Sequence, residues 1–177
     1  AAYTTGTDID GEAWASSPSI GADEYYPGAV TGPLSAGIAT VFTNVAIGFP
    51  AEFTALIEGR AAVSAWDFGD GLVLSNRPYT SHVWTSPGDY AVVLRVYNES
   101  QLAGVSATVT VHVVMQPVHH VAADSPTPLP PFTSWATAAT NIQDAVDAAL
   151  VPGALVLVTN GVYASGGRPV YGSMTNR

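Results

Sequence analysis

Trp66-Asp67-Phe68-Gly69-Asp70-Gly71, followed by His82-Val83-Trp84-Thr85-Ser86-Pro87-Gly88-Asp89-Tyr90, decides how this chain is read. The first stretch is a short aromatic-rich strand running into an Asp/Gly turn. Asp67 and Asp70 can accept backbone amides and hold that turn. Gly69 and Gly71 admit backbone angles that a side chain would penalise. The second stretch is a Pro-Gly-Asp turn that opens a new strand. From there Tyr90, Val92, Leu94 and Val96 alternate with Ala91, Val93, Arg95 and Tyr97, the period of a strand with one face buried.

The same period recurs on either side. Phe53, Ala55 and Ile57 alternate with Thr54, Leu56 and Glu58. Val105, Ala107, Val109, Val111 and Val113 alternate with Ser106, Thr108, Thr110, His112 and Val114, so the valines take the core and the hydroxyls and histidine face solvent. Short alternating runs between turn signals are the mark of an antiparallel sandwich. Residues 37–114 resemble a PKD domain on these motifs, a seven-stranded immunoglobulin-like β-sandwich common in large secreted and cell-surface proteins. The resemblance implies a mainly β fold and a module that spaces, binds or docks. Trp66 and Tyr90 are then expected in the core.

The flanks differ in character. Residues 1–36 are rich in Gly, Ser, Thr and Pro, with a turn at Asp8-Ile9-Asp10-Gly11 and a short strand at Ile20-Gly21-Ala22-Asp23-Glu24-Tyr25, and read as an extended N-terminal arm. Residues 115–177 begin with a Pro-rich linker carrying Pro126, Pro128, Pro130 and Pro131. A capping box at Thr140-Asn141-Ile142-Gln143 predicts a helix with Ile142, Val146 and Leu150 as its apolar stripe. Leu155-Val156-Leu157-Val158 then reads as a strand buried on both faces or covered by that helix. The arm resembles the closing coil, and the C-terminal helix-plus-strand segment the N-terminal cap, of pectate-lyase-like right-handed parallel β-helices. A single coil cannot bury its own face. An exposed apolar edge at Leu155–Val158 therefore predicts self-association through strand pairing.

Composition narrows the function. Among 177 residues 47% are apolar and 11% charged, so a packed core is expected rather than disorder. Five arginines and no lysine stand against fourteen acids, a net charge of -9. Phosphate backbones need clustered cations, so neither nucleic acid nor an anionic membrane surface is an expected partner. The absence of cysteine excludes disulfides, thiolate metal sites and a cysteine nucleophile. No apolar run reaches the roughly 18 residues that span a bilayer. The first residues lack the pattern of a signal peptide, so the chain reads as a piece of a longer exported bacterial protein whose signal lies outside it.

Three constellations bear on chemistry. Asp67, Asp70 and Asp89 are first read as turn-makers. The alternative is calcium near the strand ends, as the family resemblance implies for some PKD-like domains, although calcium takes six to eight oxygens and no EF-hand spacing supplies them. Trp84, Tyr79 and Tyr97 sit near strand ends or on the outward parity. They are either ordinary packing or a platform for the C–H face of a sugar ring. His82 is expected to make a structural hydrogen bond, and the neighbours His119 and His120 would point to opposite faces of a strand, poor geometry for one metal. Adjacent acids such as Asp8 with Asp10 or Asp23 with Glu24 also diverge, whereas glycosidases hold two carboxylates across a cleft. No assembled catalytic group emerges, and no cofactor is required. The expected role is a non-catalytic spacer, adhesion or binding module of a large exported protein, with a polysaccharide or a cell-surface protein as partner. The alternatives are a fragment of a secreted polysaccharide-degrading enzyme (a lyase or glycoside hydrolase) and a self-assembling surface subunit.

Overall fold

A computed structural model describes residues 30–170 and 174–176, with the isolated positions 6 and 14. The turn and strand expected at 8–11 and 20–25, and the acids between 8 and 24, lie outside the described residues. The chain divides into two units: residues 1–43, 51–82 and 89–111, and residues 44–50, 83–88 and 112–177.

The first unit is the sandwich. One sheet is antiparallel, in the order β1 (Ser35–Ala39), β3 (Ala51–Glu58), β6 (Tyr79–His82). The other runs β8 (Val105–Val114), β7 (Gly88–Tyr97), β4 (Val63–Asp67), β5 (Val73–Ser75). The alternation read from sequence holds: Val92, Leu94 and Val96 are fully buried, while Arg95 faces out. Between the sheets Phe53 of β3 lies 6.0 Å from both Trp66 and Phe68 of the facing sheet. Trp66 stacks on Phe68 at 6.3 Å, and its indole N–H donates to the Arg77 carbonyl at 2.8 Å, so the one polar atom of this ring is satisfied inside the core. Tyr90 is only half-buried.

The second unit holds the remaining elements. β2 (Asn44–Ala46) pairs in parallel with the last three residues of β8, His112–Val114. β9 (Val118–Val121) and β10 (Leu155–Val158) form a second parallel pair, and Ala139 bridges to Val121 in parallel. Between them come one 3-10 turn (Trp135–Thr137) and the helix α1 (Ile142–Ala148). Val121, Phe132, Ala139 and Ala145 make a small core joined by Ala148, Val156 and Tyr163. β11 (Arg168–Val170) and β12 (Met174–Asn176) pair antiparallel.

Three expectations for this segment need correction. The N-cap of α1 is Asn141 rather than Thr140: its Oδ1 accepts the Asp144 amide at 2.9 Å and its amide donates to the Asp144 carboxylate. The cap shifts by one because Asn and Asp serve the two end positions as well as Thr and Gln do. The stripe of Ile142, Val146 and Leu150 faces outward, with Leu150 85% exposed. Seven residues offer little burying face, and the helix packs through Ala145 and Ala148, whose small side chains allow close approach. β10 is likewise not buried on both faces: Leu155, Leu157 and Val158 are exposed, and among the described residues β9 is its one sheet partner.

Candidate functional site

The Asp/Gly turn between β4 and β5 is tied by its acids. Asp67 Oδ1 accepts the Gly69 amide at 2.9 Å, and Asp70 Oδ1 accepts the Leu72 amide at 3.2 Å. Gly69 has φ +75°, and a Cβ there would meet the Ala91 carbonyl oxygen at 3.0 Å, so the turn lies tight against β7. Asp70 Oδ2 lies 2.7 Å from His82 Nε2, and the imidazole stacks on Phe68 at 4.3 Å. His82 is nearly buried, and the structural hydrogen bond expected of it has Asp70 as partner. Burial pushes the Asp70 carboxyl up. The hydrogen bonds from His82 and the Leu72 amide, with the charge of His82, outweigh that and hold it below its ordinary value. Asp89 is exposed at the start of β7. Among the described residues no three acids or histidines gather into a group that could hold a metal.

The three aromatic candidates separate. Trp84 is 1% exposed and has no ring face to offer a sugar; the core claims it. Tyr79 is exposed on β6 opposite Thr54, and Tyr97 is half-buried on β7 opposite Val63. They belong to different sheets and make no common row. The Tyr97 ring is held at the foot of the β7–β8 turn, where a Cβ on Gly104 (φ +76°) would come within 2.6 Å of it.

Tyr97 has other company. The outward faces of β5, β4 and β7 form a shallow hollow of ≈ 280 Å³ lined by Ala65, Asp67, Val73, Val93, Arg95 and Tyr97. Register builds it: Ala65 is paired with both Ser75 and Arg95, and Asp67 with both Val73 and Val93. Outward positions on neighbouring strands therefore meet as rows. The Arg95 guanidinium makes no ion pair or hydrogen bond among the described residues. An aromatic ring, an unpaired cation, a carboxylate and two valines on one open sheet can hold an amphipathic ligand. Sequence reading assigned Tyr97 and Asp67 to different roles. Arg95 was visible only as an outward residue, because its neighbours come from β4 and β5, about twenty to thirty positions earlier in the chain.

Among known proteins, residues 37–113 match the family model of the PKD domain. Similar solved structures include the PKD1 domain of Vibrio anguillarum Epp (22% identity over 46% of this chain and 94% of that one, TM-score 0.39). The PKD domain of the human VPS10 domain-containing receptor SorCS2 matches at 21% identity over 57% of this chain and 97% of that one, TM-score 0.40. A structure of promiscuous carbohydrate-binding modules from the β-sandwich superfamily matches at 23% identity, over 55% of this chain and 39% of that one, TM-score 0.40. Strand alternation, the Asp/Gly turn and the family match meet on the same residues: the segment 37–113 of this chain matches the PKD domain.

Proposed function

We propose that this chain is a non-catalytic module of a larger exported protein, spacing its neighbours and contacting a glycan through the outer face of the β7-β4-β5 strands. The observation that carries the reading is the hollow of Tyr97, Arg95 and Asp67. A pyranose presents a C–H face that suits Tyr97, and hydroxyls that can accept from Arg95 and donate to Asp67. A protein surface is the competing occupant. Among the described residues no helix is long and apolar enough to cross a membrane.

The test is affinity electrophoresis through plant, algal and bacterial polysaccharides, with calcium and with chelator, comparing the chain with Tyr97→Ala and Arg95→Ala. Retardation by at least one polysaccharide, lost in both variants, is the expected result. Chelator-sensitive retardation would add calcium as a cofactor of this surface. Free migration in every gel would remove glycan as the ligand of this face.

A second reading has its own support. The parallel pairing of β9 with β10, the parallel bridge to Ala139 and the intervening α1 are what the first coil of a parallel β-helix needs. On that reading the chain is part of a polysaccharide-degrading enzyme whose chemistry lies elsewhere. Release of new sugar ends by a longer natural chain, and none by this one, is its expected signature.

A further inference from the structure

We propose that Trp135 and His120 form a separate subsite for a neutral sugar on the open face of the β9–β10 pair, independent of the hollow around Tyr97. Val121 and Val156 turn one face of this pair into the small core. In a parallel pair, register partners share a face, so His120 and its partner Leu157 lie on the other side, together with Leu155. That face is open: Leu155 and Leu157 are exposed, and Trp135 is 48% exposed although it sits in ring contact with His120, 4.4 Å between centroids.

The backbone fixes both rings. The His120 amide donates to the Phe132 carbonyl at 2.7 Å, and the Ala139 amide donates to the His120 carbonyl at 2.9 Å. The loop carrying Trp135 is thus anchored at both ends on one residue. Within it the Ser134 hydroxyl accepts the Thr137 amide, which closes the 3-10 turn that presents the indole. Phe132 adopts φ +64°, with its ring buried and its carbonyl serving both the amide and the side chain of His120.

That last bond sets the chemistry. A carbonyl only accepts, so His120 Nδ1, 3.3 Å from Phe132 O, carries the hydrogen. In the neutral ring Nε2 is then an acceptor, fixed by the bond on the other nitrogen. Neither His120 Nε2 nor the Trp135 indole N–H has a hydrogen-bond partner among the described residues. An acceptor and a donor therefore flank an exposed aromatic surface. Sugar hydroxyls satisfy both at once, and sugar C–H faces cover the indole. A carboxylate or phosphate could accept from the indole N–H but offers no proton to His120 Nε2, and it would approach a chain of net charge -9. The chemistry selects a neutral pyranose over a uronate or a phosphate.

The experiment follows the indole N–H resonances of the full chain during titration with neutral hexaoses (cello-, xylo-, manno- and laminari-series) and with a uronate oligomer. Trp135→Phe assigns its resonance. The expected result is a saturating shift of the Trp135 signal with at least one neutral hexaose, at Kd on the order of 1 mM, weakened about tenfold or more in Trp135→Ala. The shift should persist in Tyr97→Ala. No Trp135 shift up to about 10 mM of every hexaose would overturn the inference, even where Tyr97-dependent retardation survives. A response to the uronate alone would overturn it too. So would a shift that follows protein concentration without sugar, since a second copy would then be covering the ring.

Discussion

The sandwich and the C-terminal segment use aromatic residues in opposite ways. In the first unit Phe53, Trp66 and Phe68 are buried against one another, and even the indole N–H is satisfied within. In the C-terminal segment, residues 115–177, Trp135 lies outside while the small core is mostly alanine and valine, with Phe132 the one aromatic among its buried members. The contrast teaches where stability and recognition reside. A ring enclosed by two sheets contributes to folding. A ring held by loop hydrogen bonds on a thin pair of strands remains available to a ligand.

The largest effect that could break this comparison is at Trp66. Trp66→Ala should cost about 3–5 kcal/mol of unfolding free energy, from the cavity and from the stranded Arg77 carbonyl. Urea denaturation would read it, and a loss below about 1 kcal/mol would mean that this ring does not hold the sheets. Val121→Ala in the small core should cost less, about 2 kcal/mol, read as faster amide exchange in β9 and β10. Unchanged protection there would show that the core is not what holds this pair.

The Asp70–His82 contact supplies the next size of effect. Asp70 has a folded-state pKa below its unfolded value, so its contribution is fully present above about pH 4 and is lost as pH falls through the folded value. Asp70→Asn should lower stability at neutral pH and flatten the acid limb of the stability–pH curve. Parallel curves for the two proteins would remove this carboxylate from acid unfolding. The smallest stability change belongs to the open apolar residues. Leu150→Ser should alter unfolding by no more than about 0.5 kcal/mol, yet shift the chain toward monomer in light scattering. An identical mass at every concentration would count against self-association through this face.

The sandwich could be read before its structure because strand alternation is local: Val92, Leu94 and Val96 stand two apart and go the same way. The Asp/Gly turn was equally legible, since Asp67 and Asp70 reach amides only two residues ahead. The stripe on α1 misled because spacing defines a face without saying what lies opposite it. Trp84 stayed open between packing and a sugar platform for a related reason: it stands beyond the end of β6, where parity gives no inside or outside. Arg95 and Trp135 needed register and a loop anchored across many residues, neither of which one window of sequence contains.

One buried amide also says where the module can be cut. Asn98 donates to the Gly32 and Arg60 carbonyls and accepts from the Ser100 and Gln101 amides, four bonds from a side chain almost wholly enclosed. Beside it the Glu99 amide donates to Val30, and the Gly32 amide to the Ser100 hydroxyl. A copy transplanted from residue 37 onward would leave this amide short of a partner, at about 1–3 kcal/mol for an unmet buried group. A copy taken from residue 30 keeps all three ties. The portable cassette is longer at its leading end than the stretch by which it is recognised.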